Sequence, residues 1–408
     1  MTPRPDEFCL WSEVCISRNL AGHPFPAAAS PEDRAAVAGA IANALPGAFA
    51  TDFLDATRPD ALSEEHRNWL RVTAPALLSE PLIASPPLPD ARLLVPAQLL
   101  PHSCASRVPY AILNNRDHLR LGFAGPGECL ATLWRHLSAR DDLLSRVLPY
   151  AFSPRWGYAV ADLRAPGSGL SLRCRVHLPV TVLLGLHNAL ADWLAEFGFA
   201  VSRPFLPALP PPIDFEADPD IPPPPPPGDV FEIAPDPESG AHRVAFRAEP
   251  DAIRDFAAAV RAVCSLEASL LARVLDRAPQ LVYDRAIRAA ACAAAAIRLT
   301  AADALEILSA LRLSYLAGLP GIPLATRFAS LAAELAALPS DPEPADPEAL
   351  LRRRADLLRV AAPHYAEFPP PPPLAKSSRA RRSRSRARRA PGSGAPSARV
   401  HPKPPPKP

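Results

Sequence analysis

Hydrophobic and polar positions give the chain two textures. Up to about residue 247, short apolar runs alternate with turn-forming residues, whereas from residue 250 apolar residues recur at three- and four-residue spacing with little interruption. The first texture predicts short strands among helices and the second predicts consecutive helices. Strands are expected at 91–95 and 108–113, and the alternation around His118–Leu121 predicts a half-buried strand there. Further strands are expected at 158–160 and 172–176, the latter alternating Arg173 and Arg175 with apolar neighbours. A helix over 31–44 has Ser30 as its N-cap, Pro31 at the first helical position and Glu32 and Asp33 in the first turn. Pro46-Gly47 is its expected stop. Helices are also expected at 63–71, at 129–147 with Leu130, Leu133, Trp134 and Leu137 on one stripe, and at 182–196 before Gly198. Residues 229–233 and 243–247 read as a hairpin around Glu238-Ser239-Gly240. The order predicts an α+β domain over 1–249, an antiparallel sheet flanked by helices.

The second texture predicts helices at 251–273, 283–297, 301–316, 324–337 and 346–360, forming a separate small helical bundle over 250–361. Thr300 caps the third, with Asp303 placed for a capping-box contact. Gly318 and Pro320 end it. Residues 204–228 contain six successive prolines, Pro222–Pro227, which adopt polyproline II and cannot join a sheet. This stretch is expected as an exposed insert. Residues 362–408, Pro-rich and then Arg/Ser-rich, are expected to be a disordered tail.

Composition narrows the class. Apolar residues make up 48% of 408 residues, enough for sizeable cores, and the 55 prolines belong mainly to the insert and tail. The first residues lack the apolar core of a secretory leader, and no run of 18 apolar residues occurs, so a cytoplasmic protein is expected. Seven scattered cysteines read as reduced thiols, and neither they nor the ten histidines suggest a metal site. The net charge of +2 conceals an asymmetry. Residues 376–408 hold 11 Lys/Arg and no acid, which leaves the body 33 basic and 42 acidic residues, a net charge of −9.

The candidate chemistry lies between Asn114 and Pro179. Asn114-Asn115-Arg116-Asp117-His118-Leu119-Arg120 is followed by Gly157-Tyr158, Gly167-Ser168-Gly169-Leu170 and His177-Leu178-Pro179. In order and spacing this resembles the catalytic domain of ATP:guanido phosphotransferases, in particular bacterial protein-arginine kinases. That family carries Asn-Glu-Glu-Asp-His-Leu-Arg, Gly-Tyr-Leu, a Cys-Pro step, Gly-Thr-Gly-Leu-Arg and His-Leu-Pro. Arg18-Asn19-Leu20 and Gly22-His23-Pro24-Phe25-Pro26 resemble its first motif. Residues 308–313 and Gly318 resemble the helical C-terminal part of the bacterial kinases.

The resemblance implies a guanido-kinase-like fold over 1–249, phosphoryl transfer from Mg-ATP to arginine, and specific site positions. The base, the second Glu of the Asn-Glu-Glu-Asp-His element, falls on Arg116, and the first Glu falls on Asn115. The active-site Cys falls on Asp162 and its Pro on Leu163. Two arginine clamps fall on Glu13 and Cys15, and a third falls on Ser171. Arg120 is retained, and Arg173 and Arg175 are its candidate companions in holding phosphate. On a strand, a shift of two residues moves a side chain by about 6–7 Å. Glu216 lies in the Pro-rich insert without a flanking match. A His-Leu-Ile-Ser element falls on residues 76–79, and of a phosphoarginine-sensing element only Arg354 and Ala355 persist. The structural motifs stay while chemical positions change. This points to a catalytically degenerate binding or regulatory protein, against an active arginine phosphotransferase with relocated groups. A third reading is nucleic-acid association through the basic tail. Implied partners are a protein client or adaptor, a second copy of the chain, and the zinc-containing activator and proteolytic machinery of the family. Read without the family, Arg120 pairs with Asp117 or Asp162, and His118 and His177 are hydrogen-bonding core residues.

Overall fold

The computed structural model describes residues 4–58, 61–63, 66, 90–98, 107–161, 167–202, 227–236, 247–322, 328, 331–332, 334–335 and 347–370. The expected helices at 63–71 and 324–337, the Pro-rich insert up to residue 226, the second hairpin arm up to 246 and the tail beyond 370 lie outside them, wholly or largely.

The strands are β1 (Cys9–Arg18), β2 (Phe53–Asp55), β3 (Arg92–Pro96), β4 (Val108–Leu113), β5 (Leu119–Pro126), β6 (Phe152–Ser153), β7 (Gly157–Tyr158), β8 (Leu170–His177), β9 (Phe199–Ser202) and β10 (Val230–Pro235). Eight of them form one sheet in the order β2-β3-β4-β5-β1-β8-β10-β9, and β6 pairs with β7 separately. Every pairing is antiparallel. The helices are α1 (Pro31–Phe49), α2 (Leu130–Leu144), α3 (Pro179–Leu183), α4 (His187–Glu196), α5 (Glu249–Arg277), α6 (Pro279–Ala295), α7 (Ala301–Leu316) and α8 (Pro347–Ala361).

Both faces of the sheet are covered. Val14, Ile16, Leu121 and Leu172 meet Ile41 and Leu45 of α1, Leu133 and Leu137 of α2, and Phe256 and Val260 of α5. On the other face Trp11, Cys15, Tyr110, Ile112 and Ala124 join Ala290 and Ala293 of α6, Leu305 and Leu308 of α7, and Ala355 and Leu358 of α8. The helices after residue 250 therefore complete both cores, and Met1–Pro371 is one compact unit. The boundary expected at residue 250 is not a boundary between cores. Part of the stretch expected as tail from residue 362 is packed: Phe368 lies on the second core, and the Tyr283 hydroxyl donates to the Pro369 carbonyl at 2.5 Å.

Three element readings are corrected. The central strand β1 was not expected. Its residues 9–16 are buried on both faces, so it lacks the in–out alternation of a half-buried strand. The helix expected over 182–196 is two helices, because Gly185 adopts φ 69 between them. The sheet neighbour of β10 on its outer side is β9, not residues 243–247. Helix α1 also runs past Pro46 to Phe49 and ends at Ala50 with φ 54, burying Ala48 and Phe49. A proline so near the C-terminus forfeits one backbone bond, which two buried side chains offset.

Candidate functional site

The retained motif residues hold one another. Asn114, at φ 50, opens the turn between β4 and β5, and its side-chain amide donates to the Arg34 carbonyl at 3.0 Å. The Asn19 side chain accepts from the His118 amide at 2.9 Å and donates to Asp117 Oδ1 at 2.6 Å. Asp117 Oδ1 also accepts from the Ala161 amide at 2.7 Å. His118 Nδ1 accepts from the Leu20 amide at 3.0 Å, which leaves the ring proton on Nε2, 2.8 Å from the Pro24 carbonyl. Burial pushes this imidazole below its usual pKa and keeps it neutral. Arg18 is similarly enclosed. It reaches Asp141 at 2.6 Å and the Ser168 carbonyl at 2.7 Å, with its guanidinium 3.6 Å from the centre of the Tyr158 ring. The first motif and the Asp-His motif are thus one clamp on the β4–β5 turn. Arg116 lies in that turn with its side chain exposed.

Three of the changed positions, Glu13, Cys15 and Ser171, lie together on neighbouring strands of the sheet. Strand register places Glu13 of β1 opposite Arg173 of β8, Cys15 opposite Ser171, and Arg175 opposite Glu232 of β10. Glu13 is fully buried. Arg173 grips it side-on, with Nε 2.6 Å from Oε2 and Nη2 3.0 Å from Oε1. Arg120 Nη2 lies 3.3 Å from the same Oε1, which also accepts from the Tyr110 hydroxyl. Arg175 Nε pairs with Glu232 at 2.9 Å. Arg120 therefore pairs with Glu13, not with Asp117, and Asp162 lies outside the described residues. Arg120 Nε also donates to the Cys15 sulfur at 3.2 Å. Burial raises the Cys15 thiol above its usual pKa, although Arg120 works against it. Gly122 makes the Tyr110 contact possible, because a Cβ at that position would lie 2.3 Å from Tyr110 Cζ.

His177, the last residue of β8, lies against the helices. Its Nε2 meets Ser309 Oγ at 2.8 Å, and Ser309 donates to Asp229, which also holds Arg285 at 2.5 Å. A serine, a histidine and an aspartate are thus adjacent, but the aspartate is on the serine and not on the imidazole. All three are buried, so they join β8 to α6 and α7 rather than forming a nucleophile and its base. Burial, then Arg312 and Arg285, push the His177 pKa well down. Among the described residues no group of His, Cys, Asp and Glu is placed to hold a metal, and no helix is long and apolar enough to cross a membrane.

Residues 105–202 match the family model of the ATP:guanido phosphotransferase C-terminal catalytic domain. Over these residues the chain is similar to ATP:guanido phosphotransferases. It is 28% identical over 196 residues to the protein-arginine kinase of Desulforamulus reducens, covering 47% of this chain and 51% of that protein. It is 38% identical over 90 residues to the protein-arginine kinase of Halothermothrix orenii, covering 22% of this chain and 26% of that one. The chain thus spans at most about half the length of these relatives. Among solved structures, lombricine kinase is 14% identical with a TM-score of 0.44, covering 66% of this chain and 69% of that one. The positions that resemble the family's motifs do not divide cleanly by location. In the β4–β5 turn Asn114, Asp117 and His118 keep their residue types while Asn115 and Arg116 beside them do not, and Arg120, beside Glu13 and Cys15, is retained. Glu13's role was not legible as pairing, because it depends on β1, the strand that the residue pattern did not reveal.

Proposed function

We propose that this chain is a catalytically silent guanido phosphotransferase-family protein that acts by binding a protein partner. The observation that carries this reading is the carboxylate of Glu13, buried between Arg120 and Arg173. A phosphate-transfer site needs fixed cations facing the transferred group. Here two of the three candidate cations face Glu13, and the third, Arg175, faces Glu232. Mg-ATP does not suit such a site, since its phosphates would meet a carboxylate at the centre of the cations. Arg116 adds to this: a cation stands where the resemblance implies a base for an incoming guanidinium. The clamp around Asn19 and His118 keeps the domain folded without that chemistry.

The partner is a protein client or adaptor, or a second copy of the chain, in a cytoplasmic setting, and the basic stretch 376–408 adds contact with polyanions. Incubated with Mg-ATP and an arginine-rich protein, the purified chain transfers no phosphate above background. Arg116→Glu alone does not restore transfer, because Glu13 still neutralises the clamps. Robust transfer by the unmodified chain, abolished by replacing Arg116 or Arg120, would overturn the reading in favour of an active phosphotransferase with relocated groups.

A further inference from the structure

Away from the Glu13 cluster, a second group of cations gathers around His136. Arg107 lies one residue before β4, and His136 and Arg140 lie one turn apart on the same side of α2. Arg107 Nη1 donates to His136 Nε2 at 2.9 Å. Arg140 donates to the Ala48 carbonyl at 2.8 Å, with its guanidinium 5.6 Å from the centre of the Phe49 ring. The Phe49 ring stacks on Phe123 at 6.0 Å, and Phe123 stacks on His136 at 5.9 Å. A ladder of three rings thus fixes the imidazole, and Arg135 stands beside it on the exposed side of α2. Four arginines elsewhere are built in against acids: Arg18 has Asp141, Arg173 has Glu13, Arg175 has Glu232 and Arg285 has Asp229. Among the described residues, none of Arg107, Arg135 and Arg140 has a carboxylate within 4.0 Å.

We propose that Arg107, His136 and Arg140, with Arg135 at the rim, bind a single phosphoryl dianion. Guanidinium forks match phosphate oxygens, and three cations around one imidazole suit a doubly charged group better than a single carboxylate. Their confinement to one helical turn and one strand end suits one phosphoryl group rather than a polymer backbone, which needs cations spread along its length. Among the described residues the charged groups that act on His136 are Arg107, Arg135 and Arg140, and the Phe123 ring stacks on it. Burial, then these three cations, hold the imidazole below its usual pKa. A bound dianion reverses the sign of the local field, so His136 takes up a proton and binding tightens as pH falls through the histidine range.

The test follows the His136 ring proton by NMR across pH in the full chain, with inorganic phosphate and, separately, with peptides carrying phosphoserine or phosphoarginine. Phosphate is expected to move the His136 midpoint upward by about half a unit or more. Arg107→Gln should weaken binding about ten-fold, the lower bound for a charge-assisted hydrogen bond. His136→Gln should remove the part of the pH dependence that exceeds the ligand's own titration at about pH 6, and Arg140→Gln gives a second loss should the Arg107 variant fold poorly. Tighter binding of a phosphopeptide than of phosphate identifies a modified protein as the source, and the reverse identifies the free ion; both support the site. A His136 titration unmoved by every ligand overturns the proposal. So does binding that survives Arg107→Gln and His136→Gln but is lost in Arg173→Gln, since the anion would then sit at the Glu13 cluster.

Discussion

Replacing Glu13 by Gln keeps the shape of the buried side chain and removes only its charge. The carboxylate now accepts from the Tyr110 hydroxyl and faces two guanidiniums, one gripping it side-on. Glutamine retains one acceptor oxygen, which Tyr110 can keep. Its amide is a donor and so cannot answer a guanidinium, which also only donates. Breaking a fully buried ion pair by removing one partner costs about 3–5 kcal/mol. The side chains of Arg120 and Arg173 are 24% and 19% exposed, so water reaches them and relieves part of that cost. Arg173 also keeps Glu232 at 3.9 Å. A loss of about 2–3 kcal/mol is therefore expected, within the range for a charged hydrogen bond at its lower end and a buried pair at its upper. Urea unfolding at physiological salt measures it as a lowered midpoint with an unchanged slope. Inorganic phosphate should then stabilise the variant more than the parent, because the vacated space lies between two cations. At ten times its dissociation constant it would return about 1.4 kcal/mol. A variant within about 0.5 kcal/mol of the parent, and indifferent to phosphate, would refute the view that Glu13 neutralises this site.

Two further outcomes follow from the packing. Gly122→Ala should cost about 1–3 kcal/mol by overpacking, because its Cβ would displace the Tyr110 ring; Tyr110 fluorescence and a urea midpoint report it, and an unchanged midpoint would contradict the contact. Buried Glu267 of α5 accepts from the Val180 and Thr181 amides at 2.6 and 3.0 Å, and burial pushes its carboxyl up to about 7 from 4.5. Folding therefore favours its protonated form: this contribution is full below about pH 4.5 and is lost as pH rises through about 7. The loss amounts to about 3 kcal/mol. Glu267→Gln should flatten that part of the pH profile, and a profile identical to the parent's would assign the titration elsewhere.

Strand β4 and helix α7 were legible because local residue types mark their ends. Strand β4 is an unbroken apolar run closed by Asn114, and α7 lies between the Thr300 cap and Gly318. The short edge strands β2 and β9, in contrast, were not expected. Residues 108–113 form β4 and residues 301–316 form α7 at the expected bounds. Strand β1 was not legible, because its central position buries both faces and leaves Ser12 and Glu13 among apolar neighbours. The site suffered for the same reason. Arg120, Arg173 and Arg175 stood out individually, but their pairing is set by the register of β1, β8 and β10, which places Glu13 opposite Arg173 and Glu232 opposite Arg175. Ser171 and Arg173 take different cross-strand partners two residues apart, so moving an arginine by two positions moves it from Cys15 to Glu13. The break at Gly185 escaped because Val182, Leu186, Leu190 and Leu194 keep four-residue spacing across it. The cations around His136 escaped because Arg107 is 29 residues from it, and the two meet through β5, which pairs Val108 with Ala124 and stacks Phe123 on His136.

The most direct test of the central claim is equilibrium binding of Mg-ATP to the purified full chain by calorimetry. With Glu13 between Arg120 and Arg173, no saturable binding at this site is expected up to about 1 mM, the top of the usual range for enzyme substrates. The Glu13→Gln variant should gain affinity at Arg120. Saturable binding by the unmodified chain at roughly 100 µM or tighter, lost on Arg120→Ala, would contradict the account, because the cations would then be available to phosphate despite the carboxylate.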